Sequence, residues 1–388
     1  MKKTVLALAA IAASSAAFAQ SSVTLYGVVD ASVESVKGTN ATNNKSTTFN
    51  RVSSGNLATS RFGLKGVEDL GGGLKAKFQL ESAINVDTGA NGGGTSRLFD
   101  RAAWVGVSSA DAGELRIGRQ DSLIGAQIAD TIGAQAYDAS VVAGTLGGTG
   151  SLFRRLDNAV TYIAPAFVPG LTVSAQYTTA ADATTTNGAS STNLVNGSST
   201  PVLNSAENLS GSNKGRGFGL SANYVMGPAA AGVSYIRIKG APASTAIVTT
   251  GAQANAGLYV YGAYDLGVAK LTAFYNDDTP SANTAADGHR LYGFQAAVPV
   301  ITNLTVTGGY AYAHNVTTAG VYDAKGTKHD NAGIITLKAQ YDLSKRTAVY
   351  ALFTEIQNGD KAALGLSGVS TIADKSARGL AVGIRHAF

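Results

Sequence analysis

Apolar residues recur at every second position along nearly the whole chain, and this period decides what it can fold into. Near the start Val23, Leu25, Gly27, Val29, Ala31 and Val33 share one parity, and Thr24, Tyr26, Val28, Asp30, Ser32 and Glu34 share the other. At the end Arg378, Leu380, Val382, Ile384, His386 and Phe388 alternate with Ala377, Gly379, Ala381, Gly383 and Arg385. A period of two belongs to extended strands, and no helical period is sustained outside the N-terminal segment. Strands apolar on one face and polar or small on the other fit a sheet with lipid outside and water inside.

The connections between these strands alternate in length. Short turn signals fall at 68–73, 110–113, 165–170, 226–228, 265–267, 299–303 and 342–345. Long polar stretches fall between them, at 37–58, 86–97, 121–154, 180–214, 240–255, 277–288, 314–329 and 358–374. Seven short and eight long connections join sixteen strands. Short turns at one rim and long loops at the other are the layout of an antiparallel transmembrane β-barrel. A closed barrel leaves no unpaired edge in hydrocarbon, and one of sixteen strands is wide enough for an aqueous channel. A soluble sandwich or a β-solenoid is the competing all-β reading, but no repeat of constant length supports a solenoid. The Thr-, Ser-, Asn-, Ala- and Gly-rich segment 180–214 reads as a solvated loop, so residues 20–388 form one domain.

Composition narrows the function. Met1-Lys2-Lys3, the apolar run Val5 to Ala13 and the small-x-small site Ala17-Phe18-Ala19 form a secretory signal peptide over residues 1–19. No later uncharged run is long enough for a spanning helix. The 388-residue chain has no Cys, which excludes thiol nucleophiles and thiolate metal sites. Its formal charge is +5, without a Lys/Arg-rich run, so nucleic acid is not an expected partner. The four His (His289, His314, His329 and His386) form no catalytic motif, and G-x-S-x-G, H-E-x-x-H and Walker A are absent, so no enzyme, metal or cofactor is expected.

Several stretches resemble the trimeric general porins of Gram-negative bacteria, of the Neisseria/Burkholderia type. They are Ser22 to Asp30, Ser60-Arg61-Phe62-Gly63-Leu64-Lys65-Gly66-Val67-Glu68-Asp69-Leu70-Gly71-Gly72-Gly73-Leu74-Lys75-Ala76, Gly113 to Gln120, Asn158 to Tyr162, Leu343 to Thr347 and Gly383 to Phe388. The resemblance implies a 16-stranded outer-membrane barrel and a homotrimer. It implies a third long loop, here about 121–154, folded inward to narrow the pore. It also implies partners: ions and small hydrophilic solutes, outer-membrane lipid and lipopolysaccharide, and the barrel assembly machinery, which would read the terminal Phe388.

The candidate constriction combines parity with that resemblance. Arg61 shares parity with Gly63 and Lys65, while Phe62 and Leu64 take the lipid parity; a lipid-facing Arg at mid-membrane would cost about 2–4 kcal/mol. The resemblance places an eyelet arginine there. Arg155 matches the arginine after loop 3, with Arg154 the alternative inward-pointing residue. Arg101 shares parity with Val105 and Val107, so either a bulge intervenes or it sits above the membrane. Lys75, Lys77 and Glu81 share the polar parity of the next strand, and Glu81 matches a family acid that orients arginines. The loop-3 acids are Asp121, Asp130 and Asp138. Arginines on a wall facing loop carboxylates set up a transverse field whose dominant sign selects ions; here the expectation is anions. Tyr26, Tyr162, Tyr177, Tyr224, Tyr259, Tyr261, Tyr310 and Tyr350 lie in predicted strands and are candidates for the two interfacial girdles. The expected function is general diffusion. A substrate-specific channel or a loop-mediated adhesin is the alternative; a sugar channel would line its lumen with aromatics, and loop 3 has only Tyr137 and Phe153.

Overall fold

The computed structural model describes residues 22–92, 97–142, 154–179, 216–239, 254–280, 289–316 and 330–388. The strands are β1 (Ser22–Thr39), β2 (Ser46–Ser54), β3 (Arg61–Gly71), β4 (Leu74–Ala83), β5 (Ala102–Ser109), β6 (Gly113–Asp121), β7 (Arg155–Ile163), β8 (Leu171–Thr178) and β9 (Gly217–Met226). They continue as β10 (Ala229–Lys239), β11 (Ala254–Asp265), β12 (Lys270–Pro280), β13 (His289–Ile301), β14 (Leu304–Val316), β15 (Asp330–Asp342), β16 (Thr347–Asn358) and β17 (Ala377–Ala387). All pair antiparallel in one sheet, and the β1–β17 ladder, from Val28↔Ala387 to Lys37↔Arg378, closes it. β3 pairs with Ser22–Val28 of β1 and β2 with Ala31–Thr39, so β2 and β3 are halves of one barrel strand broken at 55–60. The barrel therefore has sixteen strands.

The alternation read from the sequence sorts the two faces. Along β17, Leu380, Val382 and Ile384 are exposed on the outside while Ala377, Gly379 and Ala381 are buried inside. Val23, Leu25, Val105, Ile117, Leu220 and Phe294 are likewise exposed, an apolar belt that suits hydrocarbon. The short turns sit where expected. In the β3–β4 turn Gly71, Gly72 and Gly73 all have positive φ (84°, 60° and 80°), which a residue with a Cβ adopts only under strain.

Two expectations change. Much of 37–58 is not loop: β1 and β2 continue as a hairpin in register from Ala31↔Ser54 to Thr39↔Ser46. The Ser-, Thr- and Asn-rich sequence of β2 hides the strand period. The inner wall is also not uniformly polar. Ile236, Ile238, Tyr259, Leu291, Ile334, Leu352 and Ile356 point inward and are buried, because loop 3 covers them. Loop 3 carries α1 (Leu123–Thr131) and α2 (Ala139–Val142). Ile124, Ile128, Ile132 and Tyr137 of loop 3 join the same cluster, as do Ala362, Leu364, Leu366 and Val369 of the last long loop. The apolar core lies inside the barrel, between its wall and two in-folded loops. The expected signal peptide 1–19 and segment 180–214 lie outside the described residues, as do parts of 240–255, 277–288 and 314–329.

Candidate functional site inside the barrel

Loop 3 leaves the wall at the end of β6. Ser122 caps α1, its Oγ accepting from Gly125 N at 2.9 Å, and α1 packs against β8 to β11 while α2 packs against β15. Gly257 gives Ile124 room: a Cβ there would lie 3.1 Å from the Ile124 side chain. Polar ties then fasten the loop along its length. Gln127 Nε2 donates to Asn223 Oδ1 at 2.6 Å, Gln295 Nε2 to the Thr131 carbonyl at 2.6 Å, and Thr131 Oγ1 bonds the Tyr259 hydroxyl. Thr354 Oγ1 donates to the Tyr137 carbonyl at 2.8 Å, and Thr59 Oγ1 to Gln135 Oε1 at 3.1 Å.

The wall from β3 to β7 carries the arginines, and they come in pairs on single carboxylates. Arg61, opposite the lumen residue Val28, places Nε 3.4 Å from Glu81 Oε2, while Arg101 Nε lies 2.6 Å from Glu81 Oε1. Arg154 and Arg155 both reach Asp121 Oδ1, at 2.8 and 3.1 Å. Arg97 and Arg119 grip the two oxygens of Asp157, each at 2.5 Å. Nearer the short-turn rim, Glu114 holds Lys77 at 2.7 Å and Arg116 at 2.5 Å, and the Arg116 guanidinium stacks 4.6 Å from the Trp104 ring. Lys65 lies 5.1 Å over the Tyr26 ring, and Lys75 sits at the rim opposite Asp69.

The parity conflict at Arg101 resolves locally. Arg101 precedes β5, and its N–H donates to the Glu81 carbonyl at 3.1 Å while the side chain turns inward. Arg154 and Arg155 do not divide into one inward and one outward residue, since both meet Asp121. Of the three loop acids, Asp121 ends β6 and belongs to the wall. Asp138 is buried and pinned to Lys338 of β15 at 2.6 Å. Asp130 is exposed on the face of α1 opposite the buried Ile124 and Ile128, with no ion pair among the described residues. Partial desolvation by the protein that surrounds it inside the barrel, with the nearby Asp121 carboxylate, raises its carboxyl above the usual Asp value, against the pull of Arg154.

Sequence reasoning missed Arg97, Arg119 and Asp157. Arg119 keeps the parity of Leu115 and Ile117 in its ladder with β5 (Ala103↔Arg119, Val105↔Ile117), and the extra residue of the register shift lies in β7, between Leu156 and Ala159. The signal available was the charge itself: an arginine on the apolar parity has to find a carboxylate partner. Four of the tyrosines read as girdle candidates are lumenal instead. Tyr26 donates to Glu81 Oε2 at 2.9 Å and accepts from Gln79 Nε2 at 2.6 Å. Tyr350 bonds Asp30, Tyr259 bonds Thr131, and Tyr261 donates to Asn223 Oδ1. Each hydroxyl serves a polar partner that outward placement would have denied it. Phe388 sits at the seam: its N–H donates to the Gly27 carbonyl and its carbonyl accepts from Gly27 N–H, both at 3.1 Å.

The architecture has known relatives. The chain is 32% identical over 409 residues to outer membrane porin protein 32 of Delftia acidovorans, covering all of both chains. It is 30% identical over 423 residues to an outer membrane porin protein of Bordetella pertussis, again over the full length of both. Among solved structures, an anion-selective porin from Comamonas acidovorans aligns with a TM-score of 0.70 and 27% identity, covering 95% of this chain and 100% of that one. The family described as Gram-negative porin matches residues 5–361. A barrel wide enough to hold water, matched over its length by porins of two other bacteria, makes this chain a member of the Gram-negative porin family and an outer-membrane diffusion channel.

Proposed function

We propose that this porin passes small hydrophilic solutes with a preference for anions, and that the arginine pairs of the β3–β7 wall set that preference. The observation that carries the reading is the pairing itself: the four guanidiniums of Arg61, Arg101, Arg154 and Arg155 share the two carboxylates Glu81 and Asp121. Each carboxylate orients two cations and neutralises one, so the wall keeps an excess of positive charge in fixed positions. Asp130, free of the wall, offsets part of it. A narrow water path with such walls concentrates ions of the opposite sign. Lys77 and Arg116 extend the positive track toward the periplasmic rim. The likeness to an anion-selective porin supports the same sign.

Single-channel recording in a KCl gradient tests this. A reversal potential of the chloride-selective sign is expected, and the potassium-selective sign would overturn it. The chain is further proposed to act as a homotrimer, for which closure of conductance in three equal steps is the expected record.

A further inference from the structure

We infer that Glu34 is a positioning residue that fastens both in-folded loops to the wall through one carboxylate, so that loosening either loop loosens the other. Glu34 lies on the inner face of β1 and is 1% exposed. Four segments converge on it. Arg51 Nε of β2 donates to Oε1 at 2.6 Å, and Asn56 Nδ2 of the strand break donates to Oε2 at 3.0 Å. The Tyr137 hydroxyl of loop 3 donates to Oε2 at 3.0 Å. The Ser367 hydroxyl of the last long loop lies 3.1 Å from both oxygens. Arg51 completes a ring, because its Nη2 donates to Ser367 Oγ at 3.1 Å and to the Ser367 carbonyl.

The loop tip is shaped for this contact. Leu366 and Val369 exchange both backbone hydrogen bonds, and Ser367 and Gly368 between them have φ of 48° and 73°. Two positive φ angles in a two-residue turn define a tight hairpin tip, here with a non-glycine residue at the strained first position. That placement aims the Ser367 hydroxyl and carbonyl at the Glu34–Arg51 pair. The two loops also touch around Gly379, where a Cβ would lie 2.7 Å from Leu366 and 2.9 Å from the Tyr137 hydroxyl. A cavity of about 410 Å³, lined by Asn56, Gln135 and Ser367 among others, adjoins the junction and gives a released tip room to move.

The physical basis is the joint solvation of a buried charge by donors from both loops. A carboxylate withdrawn from water must have its lone pairs filled by donors, and losing one donor weakens the hold on the rest. Tyr137 and Ser367 fill the same carboxylate from different loops, so the loops are coupled without needing extensive mutual contact. The consequence for conduction rests on loop 3 narrowing the channel; the coupling does not.

Hydrogen exchange on the purified protein tests the coupling directly. Ser367→Ala is expected to speed exchange not only at 364–369 but also at 134–138, by roughly fivefold, the lower end of ordinary coupling between sites. Tyr137→Phe is expected to do the converse by a similar factor, because coupling is reciprocal. Glu34→Gln is expected to speed both, and adding Tyr137→Phe to it to change little. Exchange confined in each single variant to its own loop would overturn the inference. The single variants remove one hydroxyl each, so the test survives if Glu34→Gln fails to fold. Selectivity measured on the same variants reports separately on the anion-channel reading, which can fail while the coupling stands.

Discussion

At the scale of single residues, a charge in the lumen matters by what holds it. Asp121 and Glu81 are committed to two arginines each, and Asp138 to Lys338, whereas Asp130 stands exposed on a helix face of loop 3. Asp130 is therefore the acid whose loss changes ion preference with least disturbance of geometry. One unit charge about 8 Å away in a water-like dielectric is worth about 0.5 kcal/mol, a factor of about two in a permeability ratio. Asp130→Asn is expected to move the reversal potential by that much toward chloride. The unaltered protein should make the same move as pH falls. Its raised pKa means that Asp130 takes up a proton at higher pH than an ordinary Asp, and the neutral form no longer opposes the arginines. The variant should lack this acid-side shift. A reversal potential in Asp130→Asn that still follows pH as the wild type does would assign the titration to another group.

At the scale of elements, loop 3 is held by an apolar face and by pinned charges. Ile128 is 1% exposed against the inner wall, so Ile128→Ala should cost about 2–5 kcal/mol of docking, read as faster hydrogen exchange across α1. Lys338→Met removes the partner of a buried Asp138 and should cost about 3–5 kcal/mol, because an unpaired buried charge is left behind. Adding Asp138→Asn should recover much of that loss in thermal unfolding, and a double variant no more stable than Lys338→Met would contradict the pinning role. This is also the scale at which sequence reasoning parts from the structure. Strand parity puts Arg61 and Glu81 on the inner face, where the ladders also set them, since a period of two needs no long-range knowledge. It could not place Tyr26, whose phenol suits a membrane interface as well as a carboxylate. It also could not anticipate an apolar inner wall behind loop 3. Ile236 and Leu291 take the lumen parity yet are buried, because a segment more than a hundred residues away covers them.

At the scale of the whole molecule, the barrel depends on a seam closed by the two ends of the chain. β1 meets β17 over ten residue pairs, and at its foot Gly27 and Phe388 exchange both backbone hydrogen bonds. The Phe388 ring covers Gly27 so closely that a Cβ on Gly27 would lie 2.3 Å from it. The ring is still 44% exposed on the outer surface, so its burial against the wall is worth no more than about 1.5–3 kcal/mol. A role confined to packing and a role as the address read by the assembly machinery then make different demands. Phe388→Ala keeps the backbone bonds to Gly27 and loses only the ring. If the ring acts as an address, the variant refolded in detergent should regain its heat-modifiable mobility on gels almost fully, while the amount inserted in the outer membrane of cells falls several-fold. Gly27→Ala displaces the ring without removing it, and should lower thermal stability in vitro with a smaller effect on insertion. Equal losses for Phe388→Ala in detergent and in cells would reduce Phe388 to a packing residue at the seam.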